Sequence, residues 1–188
     1  MSKLSLTLRP LARSDLGWFT STRNAAAPHL HDPRRFTEEQ ARDWFAATTI
    51  DYRVISAAGT AIGYFRLERD RDEPTALWVG ADIAESQRGR GLAFAAYCEF
   101  LPVFGREFEV EVFKLRVIPT NVPAISLYRK LGFTTFDVEA LVDVEARQVV
   151  IRDLLMMMPA GAAIGRGVSA PDFVDHLPGV RRPGSHGQ

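Results

Sequence analysis

Cysteine is nearly absent. Cys98 is the single one in 188 residues, so no intrachain disulfide can form. No apolar run approaches the roughly 20 residues that a membrane-crossing helix needs, and Met1 to Pro10 holds no apolar core of signal-peptide length. A soluble, cytoplasmic protein with no membrane partner is expected. Charge of one sign is missing too: 23 Lys and Arg balance 23 Asp and Glu. That balance excludes the phosphate-neutralising surplus of a dedicated nucleic-acid binder. Several motifs are lacking as well. There is no Gly-Lys-Ser/Thr loop, no Cys/His cluster of zinc spacing and no Gly-x-Ser-x-Gly elbow. Gly89-Arg90-Gly91-Leu92-Ala93-Phe94 lacks the last glycine of a dinucleotide fingerprint. No metal is expected.

What is present is a globular composition, 46% hydrophobic and 24% charged, in a chain long enough for one domain. That domain is expected over residues 1–158. Residues 159–188, rich in Gly and Pro and without periodicity, are expected to form a flexible tail.

Leu4, Leu6 and Leu8 alternate with polar residues, which predicts a strand ended by Pro10. Ser14-Asp15 offers a cap for a helix through Trp18 and Phe19, and Asn24 to Arg35 reads as an irregular loop. Thr37-Glu38-Glu39-Gln40 is a capping box opening a helix with Ala41, Trp44 and Phe45 on one face. Three strands follow, at Tyr52–Ala57, Ala61–Leu67 and Thr75–Ile83. A wide apolar helix starts at Leu92, with Pro102 predicting a kink or an early end. A strand at Phe113–Val117 leads to a short helix opened by Asn121-Val122-Pro123 and closed by Gly132. Phe133–Leu141 and Arg147–Met157 form a last hairpin, in which Met156-Met157-Met158 reads as edge-strand packing. The order β-α-α-β-β-β-α-β-α-β-β predicts a mixed sheet with helices on both faces.

Arg88-Gly89-Arg90-Gly91-Leu92-Ala93 joins an extended apolar segment to a helix. The first amides of a helix have no partner within it, and glycines let those amides approach an anion that the helix dipole favours. The alternatives are a pyrophosphate cradle and an ordinary tight turn with solvated arginines.

A second segment bears on that choice: Asn121-Val122-Pro123-Ala124-Ile125-Ser126-Leu127-Tyr128-Arg129-Lys130-Leu131-Gly132-Phe133. With both in place the chain resembles the GNAT superfamily of acetyl-CoA-dependent N-acetyltransferases over residues 4–158. That family pairs an Arg/Gln-x-x-Gly-x-Gly/Ala loop with an Asn-x-x-Ala-x-x-Leu-Tyr-x-Lys-Leu-Gly-Phe segment. Leu8-Arg9-Pro10-Leu11 with Asp15, Arg23-Asn24, and Thr37-Glu38-Glu39 before Trp44-Phe45 look like one branch of it. That branch includes enzymes for ribosomal-protein N-terminal amines, and amino-sugar acetyltransferases look similar over this region.

The resemblance implies an α/β (α+β) GNAT fold, a mixed and mostly antiparallel sheet of about seven strands with helices on both faces. It implies acetyl-CoA as co-substrate and an amine acceptor, in a monomer or homodimer. The amides of Arg88, Gly89, Arg90, Gly91, Leu92 and Ala93 would bind pyrophosphate, with Arg88 or Arg90 adding charge. The strand before the loop, with Val79, Ala81 and Ile83, would splay from its neighbour and offer free backbone groups to pantetheine. A free strand amide near Val79 to Ala81 would hold the thioester oxygen, worth about 3 kcal/mol per donor. Asn121 would hydrogen-bond the cofactor or cap its own helix.

Tyr128 is the expected general acid: a phenol of pKa about 10 carries a proton for a thiolate whose parent pKa is about 8.5. For the base, many relatives carry a carboxylate early on the strand where Leu77 and Trp78 stand here. The candidates are Asp82, Glu73, His29 and His31, or a water chain. Cys98, in an apolar helical stretch, is expected to pack rather than form an acetyl-enzyme. The expected reaction is direct attack of an amine in a ternary complex. Expected acceptors are a peptide or protein N-terminal amine, then an amino sugar on a nucleotide carrier, then an aminoglycoside. A non-catalytic acyl-CoA-binding module is the rival from another class.

Overall fold

Apolar residues on alternate positions of short segments build seven strands into one sheet, ordered β1-β2-β3-β4-β5-β7-β6. The structure is a computed structural model and describes residues 5–143 and 148–162. In chain order the elements are β1 (Leu6–Pro10), α1 (Leu16–Ala26), α2 (Glu38–Ala47), β2 (Asp51–Ala57), β3 (Thr60–Arg69) and β4 (Ala76–Ile83). Then come α3 (Leu92–Glu107), β5 (Val112–Val117), α4 (Val122–Leu131), β6 (Thr134–Asp143) and β7 (Gln148–Pro159). Every strand pairing is antiparallel except β4 with β5.

The strand alternation sorts two cores. Phe65, Leu67, Leu77 and Val79 face α3 and α4 and join Tyr97, Leu101, Phe104 and Leu131, all nearly solvent-free. Fully burying a side chain of this size is worth about 1.5–3 kcal/mol each. The intervening residues Val54 and Tyr64 face the other way, onto Leu16 and Phe19 of α1, with Trp44 of α2 partly buried against them. Helices therefore cover both faces of the sheet.

The ends of α2 and α4 follow the sequence. Thr37 Oγ1 accepts the Gln40 amide at 3.2 Å while Gln40 Oε1 accepts the Thr37 amide at 2.9 Å. Asn121 Oδ1 accepts the Ala124 amide at 3.3 Å, and Gly132 closes α4 with φ +104°.

Four expectations change. Asp15 makes no side-chain cap on α1; its carboxylate instead takes Arg9 at 2.6 and 2.8 Å and the Ala12 amide at 2.8 Å. The irregular loop starts later than Asn24, because α1 continues to Ala26 and a 3-10 turn spans Ala27–His29. Pro102 does not end α3, which runs on to Glu107. The ring removes only one intrahelical donor, and the apolar face packed on the sheet outweighs that loss. The methionine run is not at an edge: β7 lies between β5 and β6, with Met156 and Met158 buried. Periodicity reports which face a residue takes and carries no information on strand order.

Leu4 and Arg147 lie outside the described residues, as do residues 163–188 of the expected tail. Its first residues are packed: Ala160 lies against the main core, and its amide donates to the Glu111 carbonyl at 2.7 Å.

Candidate active site

The site begins where two strands part. β4 and β5 pair in parallel only at Ala76↔Val112, Leu77↔Phe113 and Trp78↔Lys114. Beyond Trp78, β4 stays bonded to β3 as far as Ile83, while β5 pairs on its far side with β7 up to Val117↔Leu154. Val79, Ala81 and Ile83 thus present an unpaired edge toward a gap in the middle of the sheet, as the family resemblance implies. Their side chains pack into the α3 side, so only their backbone is offered there.

A cavity of about 830 Å³ occupies the α1/α2 face and reaches this gap. That size suits a small-molecule or peptide-end site. Trp78, Gly80 and Asp82 of β4 form its floor with Tyr64, Arg66 and Glu68 of β3. Phe19 and Arg23 of α1, Trp44 of α2 and the segment His29–Phe36 wall it, and Tyr128 of α4 closes the end at the gap.

Asp82 and Tyr128 face this one space. Asp82 accepts a hydrogen bond from the Tyr64 hydroxyl at 2.6 Å. Burial raises its pKa, while the Tyr64 bond and the guanidinium charges of Arg23, Arg88 and Arg66 hold it down. Tyr128 is buried, and desolvation pushes its phenol up to about 12, so it carries its proton at neutral pH. Its ring meets that of Tyr97 edge-on, with centroids 5.9 Å apart.

His31 also lines the cavity, yet both ring nitrogens are engaged. Nδ1 lies 2.5 Å from Oδ2 of Asp153, a fully buried carboxylate on β7, and Nε2 meets the Arg152 guanidinium. His31, Asp153 and Glu139 bring one ligand atom each within 4.8 Å of one another. Arg152 and Arg116 already face those carboxylates, Arg116 at 2.8 Å from Glu139, so their charge is compensated without a cation. The segment above the cavity is tied down further. Arg23 donates to the Asp32 carbonyl at 2.6 Å, and Asn121 Nδ2 donates to the His29 carbonyl at 3.3 Å. Asn121 is therefore helix cap and loop anchor at once.

Beyond β4 the chain makes a 3-10 turn and enters the glycine loop. Gly89 and Gly91 both have φ +73°, and neither has an atom within 4 Å of where a Cβ would stand. The first bond into α3 is from the Ala95 amide to the Gly91 carbonyl at 3.0 Å, so the Leu92, Ala93 and Phe94 amides precede any helical partner. Arg88 Nε donates to the Ile83 carbonyl at 3.0 Å, tying the loop to the end of β4, and Arg90 hydrogen-bonds Gln87. Open space over two left-handed glycines at a free helix N-terminus fits a pyrophosphate. Leu92 itself turns into the core.

Cys98 is half-buried on α3, and burial raises its thiol pKa, so no activated thiolate stands in the site. Glu73 pairs with Lys114 at 2.6 Å, and His29 contributes its carbonyl to Asn121. Among the described residues no helix is long and apolar enough to cross a membrane.

A parallel pair of strands parted at mid-length, with a glycine-turned helix N-terminus beside the opening, is the arrangement that the resemblance to acetyl-CoA-dependent transferases implies. The model of the GNAT acetyltransferase domain matches residues 5–134, and the chain belongs to that family of N-acetyltransferases. Solved structures agree on the fold. A ribosomal-protein-alanine N-acetyltransferase from Brucella melitensis superposes with TM-score 0.66 at 18% identity, covering 81% of this chain and 99% of its own. A mutant spermidine N-acetyltransferase from Vibrio cholerae gives 0.63 at 22%, covering 82% and 94%. An aminoglycoside acetyltransferase solved with coenzyme A gives 0.66 at 18%, covering 82% and 95%. No curated protein matches the sequence at a significant level.

Proposed function

We propose that this protein transfers the acetyl group of acetyl-CoA to a primary amine by direct attack within a ternary complex. The observation that carries the reading is the meeting of Asp82 and Tyr128 in one cavity at the gap between β4 and β5. In this reading the amides of the Arg88–Ala93 loop hold the pyrophosphate, with Arg88 and Arg90 adding charge. The free edge of Val79, Ala81 and Ile83 pairs with the pantetheine arm. A β4 amide there holds the thioester oxygen as charge develops on it.

Asp82 accepts the proton of the attacking amine, directly or through one water. Its raised pKa brings it nearer to the amine's than an exposed carboxylate would come. His31 is less suited to this task because Asp153 and Arg152 occupy its two nitrogens. As the C–N bond forms and the C–S bond breaks, Tyr128 gives its proton to the departing sulfur, and solvent restores it.

The acceptor class follows from the walls. Five arginines (23, 66, 69, 71 and 116) face five carboxylates (32, 68, 70, 72 and 82) around the cavity. A polycationic aminoglycoside gains little from a wall so balanced. An α-amino group of a peptide or protein, with an ordinary pKa of about 8, is neutral often enough to need a single carboxylate base. We place it ahead of an amino-sugar amine. We further propose that the protein acts in the cytoplasm.

The test is thiol release from acetyl-CoA over a panel of peptides, amino-sugar nucleotides and aminoglycosides, with acetyl-CoA binding measured by calorimetry. Release with peptides and intersecting initial-velocity lines is the expected result. Binding without release for every amine would leave only a non-catalytic acyl-CoA-binding module.

A further inference from the structure

The main core contains one hydroxyl that local packing does not explain. Tyr97 sits one turn and a half into α3, fully buried, and its hydroxyl makes no well-formed hydrogen bond, although the Tyr128 hydroxyl lies near enough to act on it. A buried donor left unpaired is costly, and a phenylalanine would fill the same space without that cost. The ring is held firmly, edge-on to Phe65 at 5.2 Å and edge-on to Tyr128 at 5.9 Å, so the hydroxyl cannot swing away to solvent. What lies around it is the reaction centre: the groups acting on the Tyr97 hydroxyl are the Tyr128 hydroxyl, the Asp82 carboxylate and the Ala81 backbone.

We propose that Tyr97 is a positioning residue for the acid, whose hydroxyl donates to the Tyr128 oxygen as that oxygen gives up its proton. The inference rests on the assignment of Tyr128 as acid. A phenol that protonates a leaving thiolate acquires negative charge on its own oxygen, here at a largely buried position. A donor held ready beside that oxygen and unpaired in the resting enzyme satisfies the charge at the moment it appears. Bonds of this kind are often open in the free enzyme and close only along the reaction. Tyr97 keeps its own proton throughout, and only the proton of Tyr128 moves to sulfur.

The electrostatics agree with the geometry. Tyr128 is pushed up first by desolvation, and the charge of Asp82 adds to the rise; Tyr97 is the one neighbour that pulls it down. Without Tyr97, Tyr128 becomes a weaker acid. Tyr97 from α3 and Asp82 from β4 are the titratable groups that act on it.

The experiment uses Tyr97→Phe in the full chain, labelled throughout with 3,5-difluorotyrosine so that the phenols titrate in an accessible pH range. The chain has four tyrosines, and the resonance lost in Tyr128→Phe identifies Tyr128 by fluorine NMR. Removing the Tyr97 hydroxyl is expected to raise the Tyr128 midpoint by about one pH unit. The unlabelled variant should lose kcat about tenfold, with an unchanged KM for acetyl-CoA and a Tm that holds or rises, since no buried hydroxyl is left unpaired. A hydroxyl with a merely structural role would lower Tm when removed and leave the midpoint in place. An unmoved midpoint with an unmoved kcat overturns the proposal. If Tyr128→Phe itself retains full kcat, the acid assignment has failed instead, and the midpoint shift still reports whether the two phenols are coupled.

Discussion

Gly63 has no chemistry of its own, yet replacing it with alanine should damage both stability and turnover. It lies on β3 opposite Ile83 of β4. An alanine Cβ there would stand 2.6 Å from the Asp82 carbonyl oxygen and 2.7 Å from Ile83 Cδ1, where ordinary contact begins near 3.4 Å, so about 0.8 Å must be found. The Ile83 side chain can turn; the Asp82 carbonyl can yield only if β4 moves. Overpacking of this kind costs about 1–3 kcal/mol. For a domain of this size each kcal/mol shifts Tm by about 2–4 °C, so a fall of about 2–12 °C is expected. The displaced backbone carries the proposed base, and the next carbonyl, of Ile83, anchors Arg88 of the glycine loop. A misplacement near 1 Å can cost about 10²-fold in rate, so kcat should fall at least about tenfold. Thermal melting and thiol release measure the two effects. Gly80→Ala is the control for Tm, since a Cβ there meets nothing within 4 Å. A Gly63→Ala protein with the parent's Tm and kcat would refute the steric reasoning and the placement of Asp82 with it.

Asp82→Asn should lower kcat by about 10²–10⁴ while Tm holds or rises. The sign follows from burial: a carboxyl whose folded pKa is raised destabilises the fold once ionised, so stability falls as pH climbs above the ordinary carboxyl value of 3.8, and the amide removes that loss. Tyr64→Phe should move the rising limb of the pH–rate profile upward, because the Tyr64 bond holds the Asp82 pKa down; an unmoved limb would show that another group is the base. Gly91→Val should weaken acetyl-CoA binding measured by calorimetry, since φ +73° costs a β-branched residue at least about 1–2 kcal/mol and its side chain fills the open cradle. Unchanged affinity would remove the loop from the cofactor site.

The elements were largely legible because each is set by local rules. The Thr37–Gln40 box, the Asn121 cap and the Gly132 stop are all short-range signals, and all three stand in the structure. The splay at Trp78 was legible only through the family resemblance, because no periodicity marks where two strands part. Tyr64, Tyr97 and Asp153 were missed for one reason. Each acts on a partner 18, 31 or 122 residues away, and sequence alone does not measure such distances. Alternation did hold a clue to Tyr64: it shares the parity of Arg66 and Glu68, the polar side of β3. For His31 the residue type suggested a base, and the fold turned it into a strut between the cavity wall and β7.

The parallel contact between β4 and β5 lasts for three residue pairs. Had it run the length of both strands, the sheet would be a closed partition with α3 on one side and α1 and α2 on the other. The early parting makes it a wall with a single doorway. In the proposed reaction donor and acceptor then approach from opposite rooms and touch only at the threshold, so neither blocks the other's entry. Selectivity for the amine can change through Phe19, Trp44 or Arg66 without disturbing a residue that holds the donor.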